Sequence, residues 1–163
     1  MSELVILVVE DEPEVRAAIV RDLAPLTSRI RIDEAESVDD ALAALAEAGE
    51  MGDEVGLILA DHRLPGRSGV DLLVSLHHEP ATAAIRKVLI TGQASHADTI
   101  RAVNDAELDH YIAKPWAPEE LLATTIEQLT TFVIASGMDP LRFASVLDGS
   151  RLFQSYSKHP PAE

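Results

Sequence analysis

The chain has no cysteine, which excludes disulfides and thiolate-held metals. Aromatic residues supply only 4% of its 163 positions while hydrophobic residues supply 47%, so a core must be built from Leu, Ile, Val and Ala. Positive charge is also scarce. Thirteen Lys and Arg stand against 28 Asp and Glu, a formal net charge of -15. A field of that sign repels phosphate backbones and anionic lipid, which disfavours direct nucleic-acid binding. No apolar run approaches the roughly 20 residues that span a bilayer. The opening MSELVILVVEDE lacks the basic segment of a secretion signal. A cytoplasmic protein with one well-buried domain is the expectation.

What the sequence does have is alternation. Leu4–Val9 (LVILVV) is a short, continuous, largely β-branched run, the pattern of a strand covered on both faces. Val55–Ala60 repeats it as a third strand, and Val88–Ile90 and Leu108–Ile112 read as the fourth and fifth. Ile30 and Ile32, alternating with Arg29, Arg31 and Asp33, give a short second strand. Amphipathic stretches fall between them: one opened by Pro13 and ended near Pro25, one capped by Ser37 and closed by Gly49, then Gly69–His77 and Ser95–Asn104. The longest starts at Pro118, carries Glu119 and Glu120 in its first turn, and ends at Gly137. Five strand-then-helix repeats with buried strands predict an α/β fold, a doubly wound five-stranded parallel sheet with helices on both faces. Such open sheets bind ligands beyond the carboxyl ends of the strands, where strand order reverses. The residues just after each strand are therefore the ones to inspect.

Glu10, Asp11 and Glu12 follow the first strand, Asp61 the third, Thr91 the fourth and Lys114 the fifth. Crowded carboxylates repel and cannot all stay ionised unaided. A hard divalent cation relieves that, and an oxygen-only donor set suits magnesium better than zinc. Lys114 adds a compact charge that favours an ionised carboxylate and a phosphoryl oxygen, and Thr91 adds a hydroxyl. Phosphoryl transfer asks little of a protein beyond such positioning, and an Asp carboxylate is a competent nucleophile for it. Glu12 reads as a solvated charge.

These residues lie in four motifs: VILVVEDEPEV (Val5–Val15), LILADHRLPGRSGVDLL (Leu57–Leu73), KVLITGQAS (Lys87–Ser95) and DHYIAKPW (Asp109–Trp116). In that order and spacing the chain resembles a response-regulator receiver domain from about Leu4 to about Phe132. The resemblance implies a flavodoxin-like fold and a phosphoryl group taken onto Asp61 from a histidine kinase or a phosphotransfer protein. It implies Mg2+ held by Asp11, Asp61 and Glu10, the last directly or through water, and by the backbone carbonyl of Arg63. Thr91 and Lys114 would hold the phosphoryl oxygens. Thr91 and Tyr111 would rearrange on phosphorylation and alter the surface formed by the fourth helix, fifth strand and fifth helix. The Lys114–Pro115 bond would be cis. Three departures stand out: Glu10 occupies a position where the family often has Asp, Gly92 replaces a common Ala beside Thr91, and Arg63 puts a cation two residues past the acceptor.

Residues 1–136 are thus expected to form the receiver and residues 137–163 a C-terminal extension. Asp139 and Pro140 signal a helix start and Gly149 a stop, which predicts a short helix from Pro140 to Asp148. Its apolar residues, with Leu152, Phe153 and Tyr156 beyond, either pack on the parent domain or form a homodimer or partner contact together with the last helices. HPPAE at the end reads as disordered. The histidines read as surface or rim residues, with His62 pointing away from the site, and Trp116 as a packing anchor. Two rival readings stay open: a receiver-like interaction module that works without phosphorylation, and a magnesium phosphohydrolase with an Asp nucleophile.

Overall fold

A computed structural model describes residues 2–92 and 95–160. Five parallel strands, β1 (Leu4–Val9), β2 (Arg31–Ala35), β3 (Glu54–Ala60), β4 (Arg86–Thr91) and β5 (His110–Ala113), form one sheet in the order β2-β1-β3-β4-β5. The helices between them are α1 (Pro13–Asp22), α2 (Val38–Glu50), α3 (Gly69–His78), α4 (His96–Asp105) and α5 (Pro118–Ser136). The expected fold class holds. Among the described residues, no helix is long and apolar enough to cross a membrane.

Because successive strand side chains point to opposite faces, each strand feeds two cores. Leu4, Ile6 and Val8 join Leu57, Leu59, Val88 and Ile90 on the face covered by α1 and α5. Leu7 and Val9 join Ile58, Ala60 and Leu89 on the face covered by α2, α3 and α4. All six residues of β1 are buried, which explains why that run shows no polar alternation. Ser37 accepts the Asp40 N–H to start α2, as the sequence predicts. Ser68 and Ser95 each share a reciprocal capping box with the acid three residues on, Asp71 and Asp98.

The C-terminal extension corrects one expectation. Pro140–Phe143 is only a 3-10 turn, and the true helix, α6 (Gly149–Lys158), begins where a stop is predicted. Asp148 is its N-cap, its side chain accepting the Arg151 N–H at 3.2 Å. Gly149 opens the helix because a capping acid stands directly before it. The extension packs on the domain: Phe143, Leu147 and Leu152 are buried in the α1/α5 core. Asp148 N–H donates to Thr130 Oγ1, and Arg142 donates to the Ser2 carbonyl from across the fold. Of the terminal HPPAE stretch, His159 and Pro160 are exposed, and residues 161–163 lie outside the described residues.

Candidate functional site

Strand order reverses between β1 and β3, and the chain places an acid at each of those two exits. Register aligns Val9 with Ala60, so Glu10 and Asp61 emerge side by side. The Asp61 N–H donates to the Val9 carbonyl at 3.0 Å and the Glu10 N–H to the Ala35 carbonyl at 2.9 Å, fixing both backbones. Burial is nearly complete, with Glu10 1% and Asp61 4% exposed. Two carboxylates in that position need a counter-charge. Lys114, one residue past β5, supplies it. Its Nζ donates to Glu10 Oε1 and, at 2.9 Å, to Asp61 Oδ2. The bond from Lys114 to Pro115 is cis, as the resemblance implies.

The rest of the set closes around Asp61. The Arg63 N–H reaches Asp61 Oδ1 at 3.4 Å, and the buried Thr91 makes a side-chain hydrogen bond to the same carboxylate. Tyr111 Oη donates to the Thr91 carbonyl at 3.1 Å, so the half-buried ring already stands against the end of β4. Above the acids lies a cavity of about 660 Å³, lined by Asp61, Arg63, Gly92, Lys114, Pro115 and Trp116. Glu12 is an exposed residue on its rim, as expected of a solvated charge.

Electrostatics separates the two carboxylates. Burial pushes the Glu10 carboxyl up to about 7; the Lys114 hydrogen bond opposes the rise and the Asp61 charge adds to it. Burial acts on Asp61 in the same direction, but hydrogen bonds from Thr91 and Lys114 outweigh it and hold Asp61 below the usual carboxylate value. Burial works against the Lys114 ammonium too, yet Glu10 and Asp61 hold its pKa above the ordinary lysine value. The two carboxylates are thus shifted in opposite directions, Glu10 up by burial and Asp61 down by its hydrogen bonds.

Glu10, Asp11 and Asp61 can each bring a carboxylate oxygen within 4.8 Å of the other two. This oxygen-only donor set, open on the Asp11 side, fits a hard divalent cation such as Mg2+. A proton on Glu10 must leave before that residue can serve as a ligand. Mg2+ binding, read from Trp116 fluorescence, should therefore tighten about tenfold from pH 6 to pH 8 for one displaced proton and level off above that. In Glu10→Gln the pH dependence should vanish. A flat profile in the parent would show that Glu10 carries no proton there.

The sequence-predicted residues Glu10, Asp11, Asp61, Thr91, Lys114 and Tyr111 thus meet at one sheet edge. Trp116 is the expected anchor, its Nε1 donating to Asp22 Oδ2 at 2.8 Å while the ring packs on the α1/α5 core. Two residues escaped the sequence reading. Arg16 clamps the β1 exit by donating to the Glu10 carbonyl at 2.7 Å and to Glu34 Oε1 at 3.1 Å. His62, expected at the surface or rim, is partly buried and paired. Its side chain is 14% exposed and its Nε2 lies 3.1 Å from Asp98 Oδ2 at the start of α4. An Arg one turn into the first helix was the available signal for Arg16; nothing local marked His62.

Comparison with known proteins agrees with this geometry. The family model for the response regulator receiver domain matches residues 6–126. The chain belongs to the response regulator receiver family. The receiver is 36% identical over 118 residues to the phosphate regulon transcriptional regulatory protein PhoB of Escherichia coli, covering 72% of this chain and 48% of that one. It is 33% identical over 123 residues to the hydrogenase transcriptional regulatory protein HoxA of Cupriavidus necator, covering 76% and 23%. The chain therefore spans about half or less of the length of these curated relatives. Among solved structures, the signal receiver domain of an HD-domain-containing protein from Pseudomonas fluorescens Pf-5 superposes with a TM-score of 0.73 at 25% identity, covering 85% of this chain and 95% of that one. Receivers act in two-component signalling with histidine kinases, and their acidic pocket is a Mg2+ site.

Proposed function

We propose that this receiver accepts a phosphoryl group on Asp61 from the phosphohistidine of a histidine kinase or a phosphotransfer protein. Asp61 Oδ attacks phosphorus, the phosphorus–nitrogen bond breaks, and the donor imidazole leaves with the bonding pair. One observation carries the reading: a buried carboxylate at the β3 exit, with an ammonium 2.9 Å from one of its oxygens. Glu10, Asp11, Asp61 and the Arg63 carbonyl would hold Mg2+, which supplies charge neutralisation for the phosphoryl oxygens. Lys114 and Thr91 then serve the transferred group, since both already touch Asp61.

Phosphorylation would redirect the Thr91 hydroxyl from the carboxylate to the phosphoryl oxygens. Tyr111, bonded to the Thr91 carbonyl, passes the change to the face of α4, β5 and α5. Ile100 and Val103 stand exposed on α4 in that face, 46% and 52%, and suit a partner or a second copy of the receiver. A homodimer through the last helices fits the same face. The extension offers less for self-association, because Phe143, Leu147 and Leu152 are spent on the domain's own core. Residues 1–136 are accordingly the signalling unit and 137–163 its structural annex, in a cytoplasmic setting.

Intact-mass analysis after acetyl phosphate and Mg2+ tests this. One phosphoryl adduct is expected on the parent and none on Asp61→Asn. Acetyl phosphate consumption without an adduct would revive the phosphohydrolase reading. No reaction of either kind would favour an interaction module that works without phosphorylation.

A further inference from the structure

The acceptor's own loop grips the helix that follows Thr91. His62, next to Asp61, places Nε2 3.1 Å from Asp98 Oδ2, and its side chain is only 14% exposed. Asp98 is not a free surface acid. It stands in the first turn of α4, where it accepts from Ser95 N and Ser95 Oγ in a capping box, so its carboxylate is held in place. His62 is held as well, because its carbonyl accepts the Gly69 N–H at 2.9 Å at the start of α3. The contact therefore joins two ordered backbones, the β3–α3 loop and the first turn of α4. A second tie on α4 among the described residues, Arg101 to Asp71 at 2.7 Å, runs to α3 and does not reach the acceptor loop.

We infer that His62 and Asp98 form a strap that positions Thr91 against Asp61 before a phosphoryl group arrives. α4 begins five residues after Thr91, so pinning its first turn to the residue beside Asp61 limits how far the Thr91 hydroxyl can drift from its target. Pre-positioning of this kind lowers the cost of ordering on binding. His62 and Asp98 touch no phosphoryl oxygen and act through Thr91; they are positioning residues. The inference rests on the phosphoacceptor reading above, and it deepens that reading by naming what holds the hydroxyl in place.

Beryllofluoride, which mimics the phosphoryl group on an aspartate, tests the strap in the full chain with Mg2+ present, read from Trp116 fluorescence. His62→Phe keeps the ring volume and removes the donor; Asp98→Ala removes the acceptor. Each is expected to weaken beryllofluoride binding about 3- to 10-fold, with the double substitution no weaker than Asp98→Ala alone. Mg2+ affinity of Asp98→Ala should match the parent, because no α4 residue is among the ligands. Ser37→Ala, which removes the α2 cap and touches neither strap residue, should lower the melting temperature without moving the beryllofluoride affinity. A merely structural His62 would lower the melting temperature and leave the affinity alone. Unchanged affinity in His62→Phe, or additive losses in the double variant, would overturn the strap. A parent that does not respond to beryllofluoride at all would overturn the phosphoacceptor reading, and the strap with it.

Discussion

Lys114→Met should cost about 3–5 kcal/mol of folding stability at neutral pH in the absence of divalent cations. The ammonium is the shared partner of Glu10 and Asp61, both almost fully buried, and no second Lys or Arg side chain contacts either carboxylate among the described residues. Methionine matches the length of the side chain and leaves two carboxylates facing each other in a poorly solvated pocket. Asp61 would then join Glu10 in having a folded pKa above its unfolded one, and Glu10 would rise further. An acid raised in this way destabilises the fold progressively as pH climbs from its unfolded value, near 4, toward the raised one. The deficit should therefore be small near pH 5 and largest above neutrality. Mg2+ should recover part of it by binding the folded state alone. Urea melts at pH 5 and pH 8, each with chelator and with Mg2+, check this. A loss under about 1 kcal/mol, or one that deepens on acidification, would show that the pair is not held by Lys114.

Gly69→Ala should be nearly as damaging and for a different reason. Gly69 is buried at the first position of α3, where a Cβ would fall far inside contact with the Asp61 carbonyl oxygen, 2.7 Å from the carbonyl carbon and 3.1 Å from His62 Cα. All three are main-chain atoms, so no rotamer change relieves the overlap. Either α3 backs away or the acceptor's peptide shifts. The expected cost is about 3 kcal/mol, the upper end for overpacking. Phosphorylation by acetyl phosphate should slow at least about tenfold, since a shift near 1 Å at a reacting group has effects of that size or larger. The pairing of the two losses is the signature. A variant that unfolds more easily but phosphorylates at the parental rate would mean that α3 yields and Asp61 does not. Stability within about 0.5 kcal/mol of the parent would contradict the overlap itself.

The architecture was legible because the central strands are buried on both faces. LVILVV and VGLILA carry no polar alternation to confuse them with surface strands, and the acids stop each run at the sheet edge. The same feature exposed the site, since in a parallel sheet the residue after each strand is a site residue by position. The extension misled because Asp139-Pro140 and Asp148-Gly149 both carry helix-start chemistry, while a glycine after an apolar stretch also reads as a stop. Burial of Leu152 against the α1/α5 core decides between them, and that is a tertiary fact. The opposite shifts of Glu10 and Asp61 were equally out of reach. They depend on which carboxylate gains more from Lys114 and Thr91 than it loses to burial. The partner of His62 was missed for a related reason: it lies 36 residues further along, on a helix that only the fold brings near.

The most direct measurement is chemical localisation of the phosphoryl group. An acyl phosphate on a carboxylate is reduced by borohydride to an alcohol, turning an aspartyl phosphate into homoserine. After phosphorylation with Mg2+, reduction and peptide mapping, homoserine is expected at position 61 and nowhere else. Reduction at Glu10 or Asp11, or a phosphoryl group found on a histidine with position 61 intact, would contradict the assignment of Asp61 as the acceptor.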